Sequence, residues 1–547
     1  MKISFRLSGI ALGLGALFAA ACSDDNNGPG GTPPATPSGL TAVVNGSQAD
    51  LSWNAVAGAT SYLVERSTAP CASYAQLAEV TTTSYSDLTV VPGTQYCYRV
   101  AARNADGTSP PSSPVLFAIA GPKVAVLTSV PSSRTLFKDT LYILSGYVKV
   151  SNGATLTIQA GTTIVGDTLT PGSSLWILRG SRIDAQGTAA EPIVFTSQRA
   201  PGHRKPGDWG GIIIIGNGLI NRAGVINTEG PQGVAENYGG GNNNADNSGI
   251  LRYVRIEFAG YDVSGGNNSE LNGLSLYAVG SGTTLEYIEV LAGLDDSFEW
   301  FGGAVDARYL VSYESGDDHF DWAEGYQGRV QYAIGFQSQR LQPAPGTGTV
   351  STDPQGIEAD GCNGSGCTLG FRSLPYSDPV FANVTLVGMG ANETTSAGGF
   401  GAVLRRGTKG FIANSIIANW KAQALTVRDS VTGNILAADS LNVVDLVLAA
   451  NAADYDPSGT NFGQAANFAA DNHRTAASVN AIIASTNPAA LDWTPAGVAA
   501  SGCGTIAFPA GRTANFFGGT LAPTTYCGAA DPAGPKWWQG WTVYAAN

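Results

Sequence analysis

One stretch of this chain repeats itself after 22 residues, and that period limits what it can fold into. Residues 286–307 laid on residues 308–329 without gaps match at Tyr287/Tyr309, Asp295/Asp317, Asp296/Asp318, Phe298/Phe320, Trp300/Trp322 and Gly303/Gly325. Tyr253 and Tyr332 open the neighbouring units. Short alternating apolar runs at this period, without helical periodicity, predict coils of β-strand that cannot bury an apolar face singly and must stack, ~4.8 Å apart. The leucine-rich signature of similar length is absent, and propeller blades need ~40 residues. An earlier offset of 19 relates Leu156, Ile158 and Ile164 to Leu175, Ile177 and Ile183. Only 13% of residues are charged and 71 are glycine, which fits β structure with tight turns. The expected fold class is therefore all-β, with residues 125–450 a parallel β-helix, right-handed by the usual crossover preference.

The repeat also carries the best chemical candidates. If Phe298 and Trp300 point inward, Glu299 points outward, and stacking places it over Asp321 at ~5 Å, with His319 over Ser297 beside them. Asn272 before and Glu358 or Asp360 after extend the column, and Asp295-Asp296 and Asp317-Asp318 sit at the preceding corner. Three readings compete. Asp295, Asp296, Glu299, Asp317, Asp318 and Asp321 are candidate ligands for calcium, a hard cation that takes six to eight oxygens, ~2.3–2.6 Å away. Alternatively Glu299 and Asp321, with His319, form an acid–base pair; a retaining glycosidase wants carboxyls ~5–5.5 Å apart. In the third reading the column is a solvated polar face. No other cofactor is called for. The net charge of −13 excludes nucleic acid as an expected partner and disfavours a polyanion bound without a bridging cation. Against this acidity, His203, Arg204 and Lys205 form the one basic cluster, a candidate anion site.

The chain begins with Lys2 and Arg6, then an apolar run from Ile10 to Ala21 too short to span a bilayer. Phe18-Ala19-Ala20-Ala21-Cys22 resembles the lipobox of bacterial lipoproteins. That resemblance implies residues 1–22 are a signal ending in a lipidated Cys22, followed by a flexible linker at 23–35. The expected location is the outer membrane, lipid-anchored and facing outward. The six other cysteines suit an oxidising compartment, and chain order pairs Cys71 with Cys97, Cys362 with Cys367 and Cys503 with Cys527. Residues 36–120 alternate like an antiparallel sandwich, with Tyr96, Tyr98 and Val100 inward and Cys97 on the outer face. Trp53 and the run Tyr96 to Gly107 resemble fibronectin type III domains, which implies a spacer.

Glu191 to Ser197, Lys205 to Gly211, Tyr253 to Gly260, Asp295 to Gly303 and Trp537 to Tyr544 resemble a family of large secreted or lipid-anchored bacterial β-helix proteins. The resemblance implies fold and location, and no reaction. Gly316-Asp317-Asp318 resembles part of the polygalacturonase site, but no Gly-His-Gly or Arg-Ile-Lys follows. Residues 238–249 and 343–354 are expected to be loops projecting from coil corners. Residues 451–547, with a partly helical stretch at 476–485, are expected to cap the solenoid. The leading functional expectation is a non-catalytic surface protein that binds glycan or another surface polymer, or serves adhesion, with calcium stabilising it. The alternatives are a polysaccharide lyase or glycoside hydrolase, and a structural cell-envelope component.

Overall fold

A computed structural model describes residues 31–121, 123–264, 269–455, 468 and 471–544. The signal segment and Cys22 lie outside the described residues. The chain divides into two compact units, Met1–Pro122 and Lys123–Asn547.

The first unit is an antiparallel sandwich. A three-stranded sheet (Thr41–Asn45, Gln48–Ser52, Ser84–Asp87) and a five-stranded sheet centred on Ser61–Thr68 and Gln95–Asn104 enclose Trp53, Tyr62, Val64, Tyr96, Tyr98 and Val100. The Tyr98 hydroxyl donates to Asp87 at 2.7 Å, which also pairs with Arg66 at 2.7 Å, so the buried polar tip is satisfied. Cys97 bonds Cys71. Cys97 alternates away from the core face as expected, but it is buried rather than exposed, because the loop carrying Cys71 lies over it.

The second unit is a parallel β-helix. Its strands assemble into a 17-stranded sheet, which wraps two sides of the coil, and a 10-stranded sheet. The period of 22 is the register where no loop intervenes: Thr284 pairs with Asp306, and Glu299 with Asp321. Phe298, Trp300, Phe320 and Trp322 fill the interior, all at most 1% exposed. The earlier 19-residue offset is not a register. Leu156 pairs with Ile183, and Leu175 with Val148, so the two matched segments belong to different sides of the coil. Every side buries the same alternating apolar pattern, so a sequence match cannot tell one side from the next.

The long strands turn a corner at one residue each. Tyr253, Tyr287, Tyr309 and Tyr332, then Asn383, Asn414 and Asp445, occupy equivalent positions and all have φ between 46° and 66°. Left-handed backbone costs a bulky residue ~1–2 kcal/mol. Here the corner makes the tyrosine rings stack, with centroids 4.3, 4.4 and 5.1 Å apart along the row. Offset ring pairs contribute ~0.5–1.5 kcal/mol each beyond their burial, comparable to the strain.

The C-terminal region follows this row of corners along the flank. Asn383 and Asn414 donate to Thr524 Oγ1 and the Gly504 carbonyl, both at 2.9 Å, and the Cys503–Cys527 disulfide closes this stretch. Farther on, Trp541 meets Tyr253 and Tyr287 edge-on, with centroids 5.6 and 6.1 Å apart. Val543 N–H then donates to the buried Glu289 carboxylate at 3.0 Å. The region expected as an end cap from residue 451 thus first continues the coils, with Ala453–Tyr455 and Arg474–Ala476 in parallel register. It then covers a side, because that side carries outward aromatic and apolar residues needing burial. The stretch expected to be partly helical contains one 3-10 turn, Val479–Ala481, between short strands. Among the described residues no helix is long and apolar enough to cross a membrane.

Trp541→Ala removes the ring that covers two tyrosines and should destabilise the second unit by about 3–5 kcal/mol. The check is a lowered urea midpoint, followed by intrinsic fluorescence.

Candidate functional site

The ten-stranded sheet builds the site on its outer face. One outward column runs, in register, Lys149, Trp176, Ile213, Ser275, Glu299, Asp321, Glu358, Val403, Thr426. Glu299 stands over Asp321 as expected, and Glu358 follows in the next coil. The residue before Glu299 in register is Ser275; Asn272 reaches the column from the side, donating to Glu299 Oε2 at 2.5 Å.

The column is not a solvated face. Glu299 is 8% exposed, Asp321 9% and Asp318 3%. The loops at 238–249 and 343–354 are loops, but they do not project; both fold back on the solenoid. Residues 216–248 lie across the sheet, with Ile226 and Tyr238 packed on Trp176, Ile213, Tyr277 and Phe301. The Tyr238 hydroxyl donates to Glu324 at 2.5 Å, and Arg222 pairs with the same carboxylate. This loop also brings in Glu229, which accepts from the Tyr277 hydroxyl at 3.1 Å. Cys362–Cys367 closes a small ring beside it, where Ala223 N–H donates to the Gly366 carbonyl at 2.8 Å.

Five of the six expected cation ligands come together, and Glu299 belongs to neither group. Carboxylate oxygens of Asp295, Asp296 and Asp317 lie within 4.8 Å of one another, and so do those of Asp296, Asp318 and Asp321. Asp296 belongs to both groups. The pair of aspartates at each corner stacks as the sequence repeats, and Asp318 N–H donates to Asp296 at 2.7 Å. Among the described residues none of Asp295, Asp296, Glu299, Asp317, Asp318 and Asp321 forms an ion pair with lysine or arginine. One oxygen of Asp321 and one of Asp317 are buried without a hydrogen-bond partner.

Burial first, and neighbouring carboxylates second, hold all six groups well above the usual carboxylate range. Burial likewise pushes Glu229 up to about 8. The next coil ends the crowding. Arg405 pairs with Glu358 and, at 2.8 Å, with Asp360, and Arg406 also pairs with Asp360. Asp360 still rises to about 7, because burial outweighs the arginines.

His319 does not join the acids as a proton donor. It is 1% exposed, and its Nδ1 shares a 2.6 Å hydrogen bond with Ser312, which donates to Ser297 at 2.7 Å. Burial lowers it to about 3, so the ring is neutral near pH 7. A crevice of only ≈ 20 Å³ touches His319 and Asp317, room for about one water molecule.

Sequence reasoning missed Glu229, Tyr238 and the two arginines. The inserted loops and the later coils do not repeat at 22, so nothing in the sequence pattern ties them to the column.

The fold and site define a parallel β-helix with a closed, uncompensated acidic cluster on one sheet face. The chain belongs to the family described as the pectate-lyase-like beta helix domain, which matches residues 128–497. That description relates it to polysaccharides and fixes no particular activity. The N-terminal unit is similar to a Fn3-like protein from Clostridium thermocellum: 39% identity over 17% of this chain and 97% of that one, TM-score 0.15. It is also similar to titin kinase and its flanking domains, at 25% identity over 16% of this chain and TM-score 0.16, where the match spans 18% of that chain. The FN1-FN3 domains of chicken CNTN1 match at 23% identity, over 16% of this chain and 31% of that one, TM-score 0.15. No curated protein matches the chain.

The raised carboxyls make a signed prediction. A group that binds its proton more tightly when folded stabilises the fold at low pH, and this is lost as pH rises from the unfolded value to the folded one. For Glu229 that window runs from 4.5 to about 8. In chelator, the melting temperature should therefore fall steadily between pH 5 and pH 8, and Asp321→Asn should flatten the fall.

Proposed function

We propose that this is a non-catalytic, lipid-anchored surface protein whose β-helix binds glycan or another surface polymer and is stabilised by calcium in the acidic cluster. The observation that carries the reading is the buried, unpartnered oxygen of Asp321 among carboxylates that, among the described residues, form no ion pair with lysine or arginine. Several anions this close remain charged only if a cation joins them, and otherwise take up protons. Five carboxylates, in two groups that share Asp296, supply the oxygen-rich, hard-donor setting that calcium takes. Asp295, Asp296, Asp317, Asp318 and Asp321 are the proposed ligands, with Glu299 and, from the loop, Glu229 at the edge.

The same burial disfavours Glu299, Asp321 and His319 as a hydrolase or lyase centre. Their exposure, 8% for Glu299, 9% for Asp321 and 1% for His319, leaves a polymer little surface to reach, and the imidazole is held neutral. The long solenoid instead offers evenly spaced outward positions suited to a polymer. The N-terminal unit then acts as a spacer from an outer membrane, where Cys22 carries the lipid and faces the protein outward.

Calcium added to chelator-treated protein should raise the melting temperature at pH 7 by several degrees and remove its pH dependence. An unchanged midpoint refutes the calcium role. Incubation with a polysaccharide panel tests the rest: binding on a glycan array without new reducing ends or unsaturated products supports it, and turnover that survives in Asp321→Asn places catalysis elsewhere in the protein.

A further inference from the structure

A second cavity, ≈ 220 Å³, opens on the flank beside Tyr544. Its floor is apolar: Phe258, Leu291 and Leu341 are each at most 7% exposed. Three cations line its wall, Arg204, Lys205 and Arg340. Arg204 faces Glu257 at 3.6 Å and Arg340 faces Glu393 at 3.4 Å, while Lys205 is exposed and forms no ion pair among the described residues. The one acid in the lining is Glu314. Its carboxylate is already taken up by the Ser338 hydroxyl at 2.7 Å, by Ser338 N–H at 3.1 Å and by the Tyr544 hydroxyl. Lys205 thus carries the one positive charge of this lining that no carboxylate pairs among the described residues, on a chain whose net charge is −13.

The walls are fixed before any ligand arrives. Asp208 holds the basic loop by accepting from Ser197 Oγ at 2.6 Å, Arg199 Nε at 2.8 Å and Lys205 N–H at 2.9 Å. Trp209, fully buried, donates to the Glu257 carbonyl at 2.8 Å. Ala344 N–H donates to the Pro206 carbonyl at 3.0 Å, tying the opposite loop to this one. Gly207, with φ of 86°, lets the two approach, since a Cβ there would lie 2.2 Å from Thr347 Oγ1. A preformed pocket spends little ordering entropy on binding.

We infer that this pocket binds a small ring-shaped carboxylate, its apolar ring face on Phe258 and Leu291 and its anionic group toward Lys205 and Arg340. Two sources share that chemistry, an aromatic acid and an acidic sugar residue. A neutral ring would use the floor and leave Lys205 unanswered, so the charge is what selects. None of the clustered acids lines this pocket, although Arg340 and Leu341 also border the crevice at Asp317, and the inference does not depend on the calcium reading.

The experiment is isothermal titration of the full chain with benzoate and with glucuronate, against benzyl alcohol and glucose as neutral counterparts. At least one acid should bind with Kd of about 1 mM or tighter, its neutral counterpart at least about tenfold more weakly. Lys205→Ala should weaken the acid about tenfold and Lys205→Arg restore it, both with unchanged melting temperature. Benzoate alone binding assigns the aromatic source, and glucuronate alone the sugar. Failure of both acids to bind at about 10 mM, equal binding of the neutral rings, or indifference to Lys205→Ala overturns the inference.

Discussion

In-register parallel stacking is the constraint on which everything else here rests. Each coil of the second unit places its residues directly over the equivalent residues of the next, so like meets like at strand spacing. Inside, that is favourable: Phe298 lies against Phe320 and the row of tyrosines stacks at its corners. Outside, the same rule sets Glu299 over Asp321 and Asp296 near Asp318. The fold that builds the aromatic core thereby concentrates carboxylates, and it cannot separate them without losing register.

Burial turns this crowding into a chemical property. On an open face, water would screen the carboxylates and leave them ordinary. The loop at 216–248 removes that water because its Ile226 and Tyr238 complete an apolar patch on the same sheet. Apolar closure over one half of the face thus dictates the electrostatics of the other half. Arg405 and Arg406 form ion pairs with the acids of the next coil, so the run of carboxylates without an ion pair stops where the arginines begin.

The flank follows a different logic. The corner residues carry strained backbone and outward rings, and the C-terminal region lies over them, with Trp541 on the tyrosines and Val543 on Glu289. Tyr544 then reaches Glu314 beside the cationic pocket. Covering one apolar row therefore also shapes the wall of the cavity that Lys205 borders.

The repeat made much of this legible. A gap-free match over 22 residues determines that equivalent side chains stack, and period-2 alternation determines that Glu299 and Asp321 share a side opposite Phe298 and Trp300. Cysteine order likewise gave the three disulfides, each closing a short local stretch. The 19-residue offset misled because all sides of a coil bury similar residues. Exposure could not be read at all: Glu229, Tyr238 and Trp541 lie far along the chain from what they cover, and no local pattern records that contact. The sequence by itself thus determined which residues stack, because stacking follows from a period. Only the tertiary structure decided which stacks are sealed from water, because burial depends on loops returning from distant parts of the chain.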